Sequence, residues 1–285
     1  MEVDIRVRRL SDATARQGGR YVLYGCTRNR RVESNHALAF AAALANRLQV
    51  PLLCFESLGC GHPYDNDRMH TFVLEGVPDF AVALRKLGIG HVFHCARFKR
   101  EAAPLGELLR EAAAFVTDDY PSAPAVRPYQ RLPEPLDVES YAVESSCVVP
   151  PACIGQRLYA AYSIRPRIHK LLPQYVKPVP PVRVVHRFRG AVPAFHREVL
   201  PNRIPTLVAE CRIDHNVPPS ASTRGGRAEA EGRLQKFLDE RLRRYAREKN
   251  EPAAHATSGL SPYLHFGHVS SLEAAMAVRE RALED

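Results

Sequence analysis

Residues 21–55, YVLYGCTRNRRVESNHALAFAAALANRLQVPLLCF, hold one strand–helix–strand unit. The run at 21–25 is apolar and β-prone, and residues 50–55 form a second short apolar run suited to a strand buried on both faces. Between them, residues 37–48 place Leu38, Ala41, Leu44, Ala45 and Leu48 on one helical stripe. Working outward, Met69, Phe72, Val73, Gly76, Phe80 and Leu84 keep a helical period until Gly88 stops it. HVFHC (91–95) predicts the next strand. Residues 101–114 read as a helix in which Pro104 delays the start, 115–117 as a strand ending in Asp118-Asp119, and 136–143 as a last strand. Strands alternating with helices predict an α/β, Rossmann-like parallel sheet covered on both faces, with ligands beyond the carboxyl ends of the strands.

The second half reads differently. Prolines crowd residues 147–222, which predicts a long connection with one or two short helices near Tyr159 and His169. Leu234, Phe237, Leu238, Leu242 and Tyr245 then form an apolar helical stripe, beside Arg241, Arg243, Arg244 and Arg247. Ser270 and Glu273 suit a capping box for a last helix. The expected organisation is an α/β domain at 20–146, a linker at 147–222 and an incomplete all-helical domain at 223–285.

The segment Thr257-Ser258-Gly259-Leu260-Ser261-Pro262 carries the clearest chemistry. Ser261 suits an N-cap and Pro262 the first helical position. The open amides of such a turn, the helix dipole and the hydroxyls of Thr257, Ser258 and Ser261 make a seat for a phosphate or diphosphate, and Gly259 lets the backbone come close. The alternative reading is a polar loop that caps an ordinary helix.

Composition excludes several classes. The chain has 285 residues, 45% hydrophobic and 25% charged, and no apolar run near the ~20 residues of a membrane helix. MEVDIRVRRL offers no secretory core, so a cytoplasmic location is expected. The net charge of +9 is compatible with a nucleic-acid partner. The seven cysteines are scattered with no C-x-x-C pair and read as buried reduced thiols, so no metal site is expected.

The stretch RLRRYAREKNEPAAHATSGLSPYLHFGHVSSLEAA (241–275) resembles the start of the flavin-binding helical domain of DNA photolyases, in detail the class II cyclobutane-dimer enzymes. The resemblance runs in order through YVLYGCTRNRRVESNHALAFA, DRMHTFVLEG, FVTDDYP, VVP (148–150), YSIRPRIHKLLP, IDHNVPP and RGGRAEAEGRLQKFL. It implies an antenna-bearing α/β domain, an FAD-binding helical domain and light-driven splitting of pyrimidine dimers in UV-damaged DNA. It assigns Tyr245 and Thr257, Ser258, Gly259, Leu260 and Ser261 to FAD, and Lys249 and Arg244 to DNA; it identifies no catalytic residue. It also implies an antenna chromophore, a monomer, and a chain shortened at its C-terminal end, lacking most flavin-ring contacts. The absence of tryptophan departs from the family's electron relay. His36 and Ser34 depart from its first motif, and Lys249 stands where the family usually has an arginine, so that the planar fork is lost. The alternative is a non-catalytic nucleotide- or chromophore-binding module, cryptochrome-like.

Other constellations carry bland readings beside sharp ones. His91 and His94 fall on opposite faces of a strand and cannot share a metal. His265 and His268 could share a helical face. Asp118 and Asp119 favour loop anchoring or capping over acid–base work. Arg224-Gly225-Gly226-Arg227 reads as a helix lead-in rather than a phosphate loop. The arginines beside Tyr245 suit either DNA phosphates or a solvated face.

Overall fold

The computed structural model describes residues 4–98, 101, 104–120, 136–156 and 158–284. Six strands form one sheet in the order β1-β6-β5-β2-β3-β4: β1 (Val7–Arg9), β2 (Tyr21–Cys26), β3 (Leu52–Leu58), β4 (Gly90–Cys95), β5 (Ala112–Asp118) and β6 (Glu139–Val143). Only β1, against β6, is antiparallel. All six residues of β2 are buried. Its side chains alternate: Val22, Tyr24 and Cys26 face one core, and Tyr21 and Leu23 the other. The first core is closed by α1 (His36–Arg47) and by Phe80 and Leu84 of α2 (Asp67–Leu87). The second is closed by α3 (Leu105–Glu111) together with Phe188 and Phe195 from the connection.

The connection is more ordered than its prolines predict. It holds α4 (Ala161–Tyr175) and α5 (Ile204–Ala209), and it runs along the open edge of β4. Arg197 N donates to Phe93 O at 2.8 Å, and Phe93 N donates to His196 Nδ1 at 3.0 Å. An edge strand with free donors and acceptors invites pairing with another chain, and this segment covers it.

The remaining helices are α6 (Arg227–Glu240), α7 (Leu242–Glu248), α8 (Ser261–His265) and α9 (Ser271–Glu284). The unit docks on α2, where Phe72 packs into Ala230 and Leu234 of α6, Leu260 and Tyr263 at α8, and Val269, while α7 packs on α6. No helix among the described residues is long and apolar enough to cross a membrane.

Three sequence expectations are corrected. Residues 112–114 belong to β5, not to a helix, because the parallel ladder pairs Ala112 with Tyr21 and Ala114 with Val22; residues 102–103 of that expected helix lie outside the described residues. The stripe from Leu234 to Tyr245 is two helices, broken at Arg241 (φ −124°, ψ −24°), whose guanidinium donates to Thr257 O. The capping box is half formed: Ser270 Oγ accepts from Leu272 N, but Glu273 turns away to Arg227.

Candidate functional site

Two cavities flank α8. The first is a groove of about 390 Å³ between α6 and the bend before α8, lined by Ala228, Glu229, Gly232, Arg233, Lys236, Arg241 and Ser258. Three cations and one acid, Glu229, thus share the groove with the Ser258 hydroxyl. Arg233 is held in place by its Nε, which donates to the Tyr263 hydroxyl at 2.9 Å, while that hydroxyl donates to Arg224 O at 2.6 Å. Tyr263 is fully buried, so the arginine is braced by the core beneath it. Gly259 has φ +68°, and the nearest atom to a Cβ there would be Arg233 Nη1 at 3.7 Å. The left-handed turn thus needs glycine for its conformation and brings the backbone beside the guanidinium.

The bend stays accessible: Thr257, Gly259 and Ser261 are exposed, Ser258 half-buried and Leu260 buried. Its details correct the sequence reading. The N-cap of α8 is Leu260, with no side-chain cap bond, and Ser261 is the first helical residue. Ser261 lines the second cavity instead of the first. Thr257 contributes its carbonyl to Arg241, and Leu260 is an apolar anchor in the core around Phe72. Of the expected seat, Ser258 alone lines the groove, and Gly259 borders it.

Tyr245 packs edge-on against Phe237 at 5.5 Å, and the Lys249 ammonium sits 5.6 Å from the Tyr245 ring centroid. Arg244 pairs with Glu248 at 3.3 Å on the same helix. These three residues form a neighbouring patch and are not among the groove lining.

The second cavity, about 400 Å³, lies where the carboxyl ends of β2 and β5 meet α8. Arg28, Asn29, Arg31, Tyr120, Ser261 and His265 are among its walls. Asp118 builds the loop above it. One Asp118 oxygen accepts from the amides of Thr27 and Arg28 (both 2.8 Å) and of Asn29 (3.2 Å); the other accepts from the Tyr24 hydroxyl at 2.7 Å. Asp119 pairs with Arg8. Both aspartates anchor structure, and neither is placed for acid–base work.

Arginines from this loop tie the sheet to α8. Arg31 donates to Gly267 O, and Arg30 donates to Phe266 O and to Glu56 Oε1 at 2.7 Å. Burial alone would raise the Glu56 pKa, but hydrogen bonding from His91 and the Arg30 charge outweigh it and hold the carboxyl below its ordinary value. His94 lies on the other side of the strand near Glu101. His265 and His268 do not converge: His268 is buried beyond Gly267 and accepts from Gly226 N. The amides of Gly225, Arg227 and Ala228 are taken by Glu75 and Asp79 of α2, so the Arg224–Arg227 turn is a pinned helix lead-in.

The doubly covered, mostly parallel sheet with a helical unit docked on α2 is the architecture of the photolyase and cryptochrome class. The structure superposes with a TM-score of 0.69 on the Synechocystis sp. PCC6803 cryptochrome, at 15% identity, covering 94% of this chain and 57% of that one. An archaeal photolyase from Sulfolobus tokodaii, solved with two FAD molecules, gives 0.61 at 21% identity, over 93% and 57% of the two chains. These likenesses are of fold. The family model described as DNA photolyase matches residues 22–183, more than half of the sequence, and the chain belongs to that family. It is 30% identical over 279 residues to a deoxyribodipyrimidine photo-lyase of Methanothermobacter thermautotrophicus, across 96% of this chain and 60% of the relative. The photo-lyase of Potorous tridactylus is 28% identical, across 96% and 51%. The chain thus spans between half and two thirds of the length of these curated relatives.

Proposed function

We propose that this chain acts as a class II-like photolyase, splitting cyclobutane pyrimidine dimers in UV-damaged DNA under light, with the diphosphate of FAD seated at Ser258. The observation that carries the reading is that Arg233, Lys236 and Arg241 line one groove with Ser258, beside the left-handed Gly259 and with Glu229 as the one acid. This donor set fits a diphosphate: cations and a hydroxyl face an open groove, and the backbone can come close. Reduced FAD, when bound, supplies the photoexcited electron that opens the cyclobutane ring. Arg233 and Ser258 would hold the diphosphate, by charge and by a hydroxyl donor, and Tyr263 holds Arg233 in register. The second cavity, with a buried Arg28 Nε that has no partner and the Tyr120 ring beneath the same guanidinium, suits an antenna chromophore. The division at 20–146, 147–222 and 223–285 is kept with this reading, as is a monomer.

The groove has no aromatic wall among its lining residues. FAD binding by the 285-residue chain is therefore expected in the micromolar range or weaker, about −8 kcal/mol or less favourable. Arg233→Gln should weaken FAD and ADP alike by about tenfold, the size of one charged hydrogen bond, and leave riboflavin binding unchanged. Titration by flavin fluorescence and calorimetry checks this. Equal loss for riboflavin would place the flavin elsewhere. Stoichiometric flavin in the purified chain would overturn the weak-binding statement. Repair of a thymine-dimer oligonucleotide under illumination tests the activity itself.

A further inference from the structure

Three cysteines and a histidine, remote in sequence, meet under the outer edge of the sheet. Cys60 follows β3, His70 lies in the first turns of α2, Cys95 ends β4 and Cys211 follows α5. Cys60 Sγ is 3.7 Å from His70 Nε2, and Cys95 Sγ is 3.9 Å from Cys211 Sγ. The ligand atoms of Cys60, His70 and Cys211 all lie within 4.8 Å of one another. All four side chains are buried, none more than 5% exposed.

These distances have a chemical meaning. A tetrahedral zinc with Zn–S near 2.3 Å and Zn–N near 2.0–2.1 Å has S···S edges of about 3.8 Å and S···N edges of about 3.6 Å. Two edges of the cluster, Cys60–His70 and Cys95–Cys211, already sit near those lengths, far outside the ~2.05 Å of a disulfide, while Cys95 reaches the other ligands through Cys211. Its present partners are weak. Cys60 and Cys211 thiols reach the Ala96 carbonyl, and His70 keeps a buried Nδ1 with no partner.

We propose that Cys60, His70, Cys95 and Cys211 form a closed structural site for one soft divalent cation of the zinc type. Four protein ligands leave no open position, so the ion would staple and not catalyse. It would bind the end of α5 to β3, β4 and α2, fixing the connection that leads to α6. Binding exchanges protons for metal: three thiols and a neutral imidazole take up M²⁺ and release three protons, leaving a unit of charge −1. No change of oxidation state is involved. The site does not depend on the flavin reading.

The test uses the whole chain, purified without chelators. Metal analysis should find roughly one zinc per chain, as made or after reconstitution with zinc(II). Cobalt(II) in its place should show thiolate-to-metal charge transfer and the strong visible bands of a tetrahedral ion. Cys211→Ser and Cys60→Ser should lower the zinc content about tenfold or more, while Cys153→Ser, outside the cluster, leaves it unchanged. Ligand variants can fail to fold, so a second measurement uses the unmutated chain: titration with a mercurial should release zinc in step with blocked thiols. Substoichiometric metal after reconstitution would overturn the proposal. So would octahedral cobalt spectra, or an intact mass two hydrogens low from a Cys95–Cys211 disulfide.

Discussion

His268 accepts from the Gly226 amide through Nδ1 at 3.1 Å and stacks on Phe72 at 5.2 Å. The first contact requires the neutral ring, since a proton on Nδ1 would remove the acceptor. Burial first, then the Arg30 charge, push its pKa down to about 3 from an ordinary 6.5. The unfolded chain therefore takes a proton below the upper value that the folded chain refuses until the lower one. The stabilisation is complete above pH 6.5 and is lost as pH falls through that window. His36, pushed to about 4 by burial and Arg6, acts in the same direction. Urea unfolding should thus show stability falling by up to about 1.4 kcal/mol per pH unit for each histidine between about pH 6 and pH 5. His268→Asn, which retains an acceptor for Gly226, should remove one histidine's share of that slope, to which His94, His196 and His265, also lowered by burial, contribute; an unchanged slope would mean that other groups drive the acid loss. At this scale the sequence was informative about residue type and silent about partners. Ser258 and Gly259 stood out from their hydroxyl and glycine chemistry, yet Arg233 and Lys236 did not, because their distance to Ser258 depends on how α6 docks.

Helix α6 starts where the chain crosses α2 with no room for a side chain. A Cβ on Gly225 would lie 1.8 Å from Phe72 O, and Gly226 has φ +103°. Glu75 and Asp79 of α2 then accept the first amides of the turn, so one helix caps another. Gly225→Ala should lift α6 off α2 at a cost of about 3 kcal/mol, the upper range for overpacking, and Asp79→Ala should cost about 1 kcal/mol, the size of a lost cap. Hydrogen exchange of the α6 amides reads both: the alanine at 225 should deprotect the whole helix, and the alanine at 79 only its first turn. Equal protection in all three proteins would show that the crossing carries no strain. The same contacts explain which elements were legible. The fully buried β2 and the amphipathic α1 announce themselves by period. The short edge strand β1 carries the exposed Arg8 and Arg9 and owes its state to pairing with β6. The break at Arg241 leaves the apolar stripe in phase, so no periodicity could show it. The Cys60, Cys95 and Cys211 group was invisible for a simpler reason: 116 residues separate the last two, and only the run of the connection along β4 brings them together.

Across the whole molecule, the excess of 40 basic over 31 acidic residues gives a field that favours nucleic acid without locating the contact. The two residues assigned to DNA differ in their surroundings. Arg244 is paired with Glu248, and its charge is partly answered within the same helix. Lys249 lies over the Tyr245 ring, an arrangement that keeps its full charge at the surface. If the surface around Tyr245 meets the duplex, each phosphate neutralised adds about 0.9 to the slope of log K against log salt. Lys249→Gln should then flatten that slope by about 0.9 and weaken binding alike on damaged and undamaged DNA, because phosphate contacts position the duplex and carry no lesion specificity. Arg244→Gln should flatten it by less, since binding must first part the arginine from Glu248, and Glu248→Gln should steepen it. Fluorescence anisotropy with labelled duplex over a salt series measures all three. The order of the three slopes is the diagnostic quantity: were Arg244→Gln to exceed Lys249→Gln, the ion pair with Glu248 would not survive in solution and the arginine would be the principal phosphate contact of this surface.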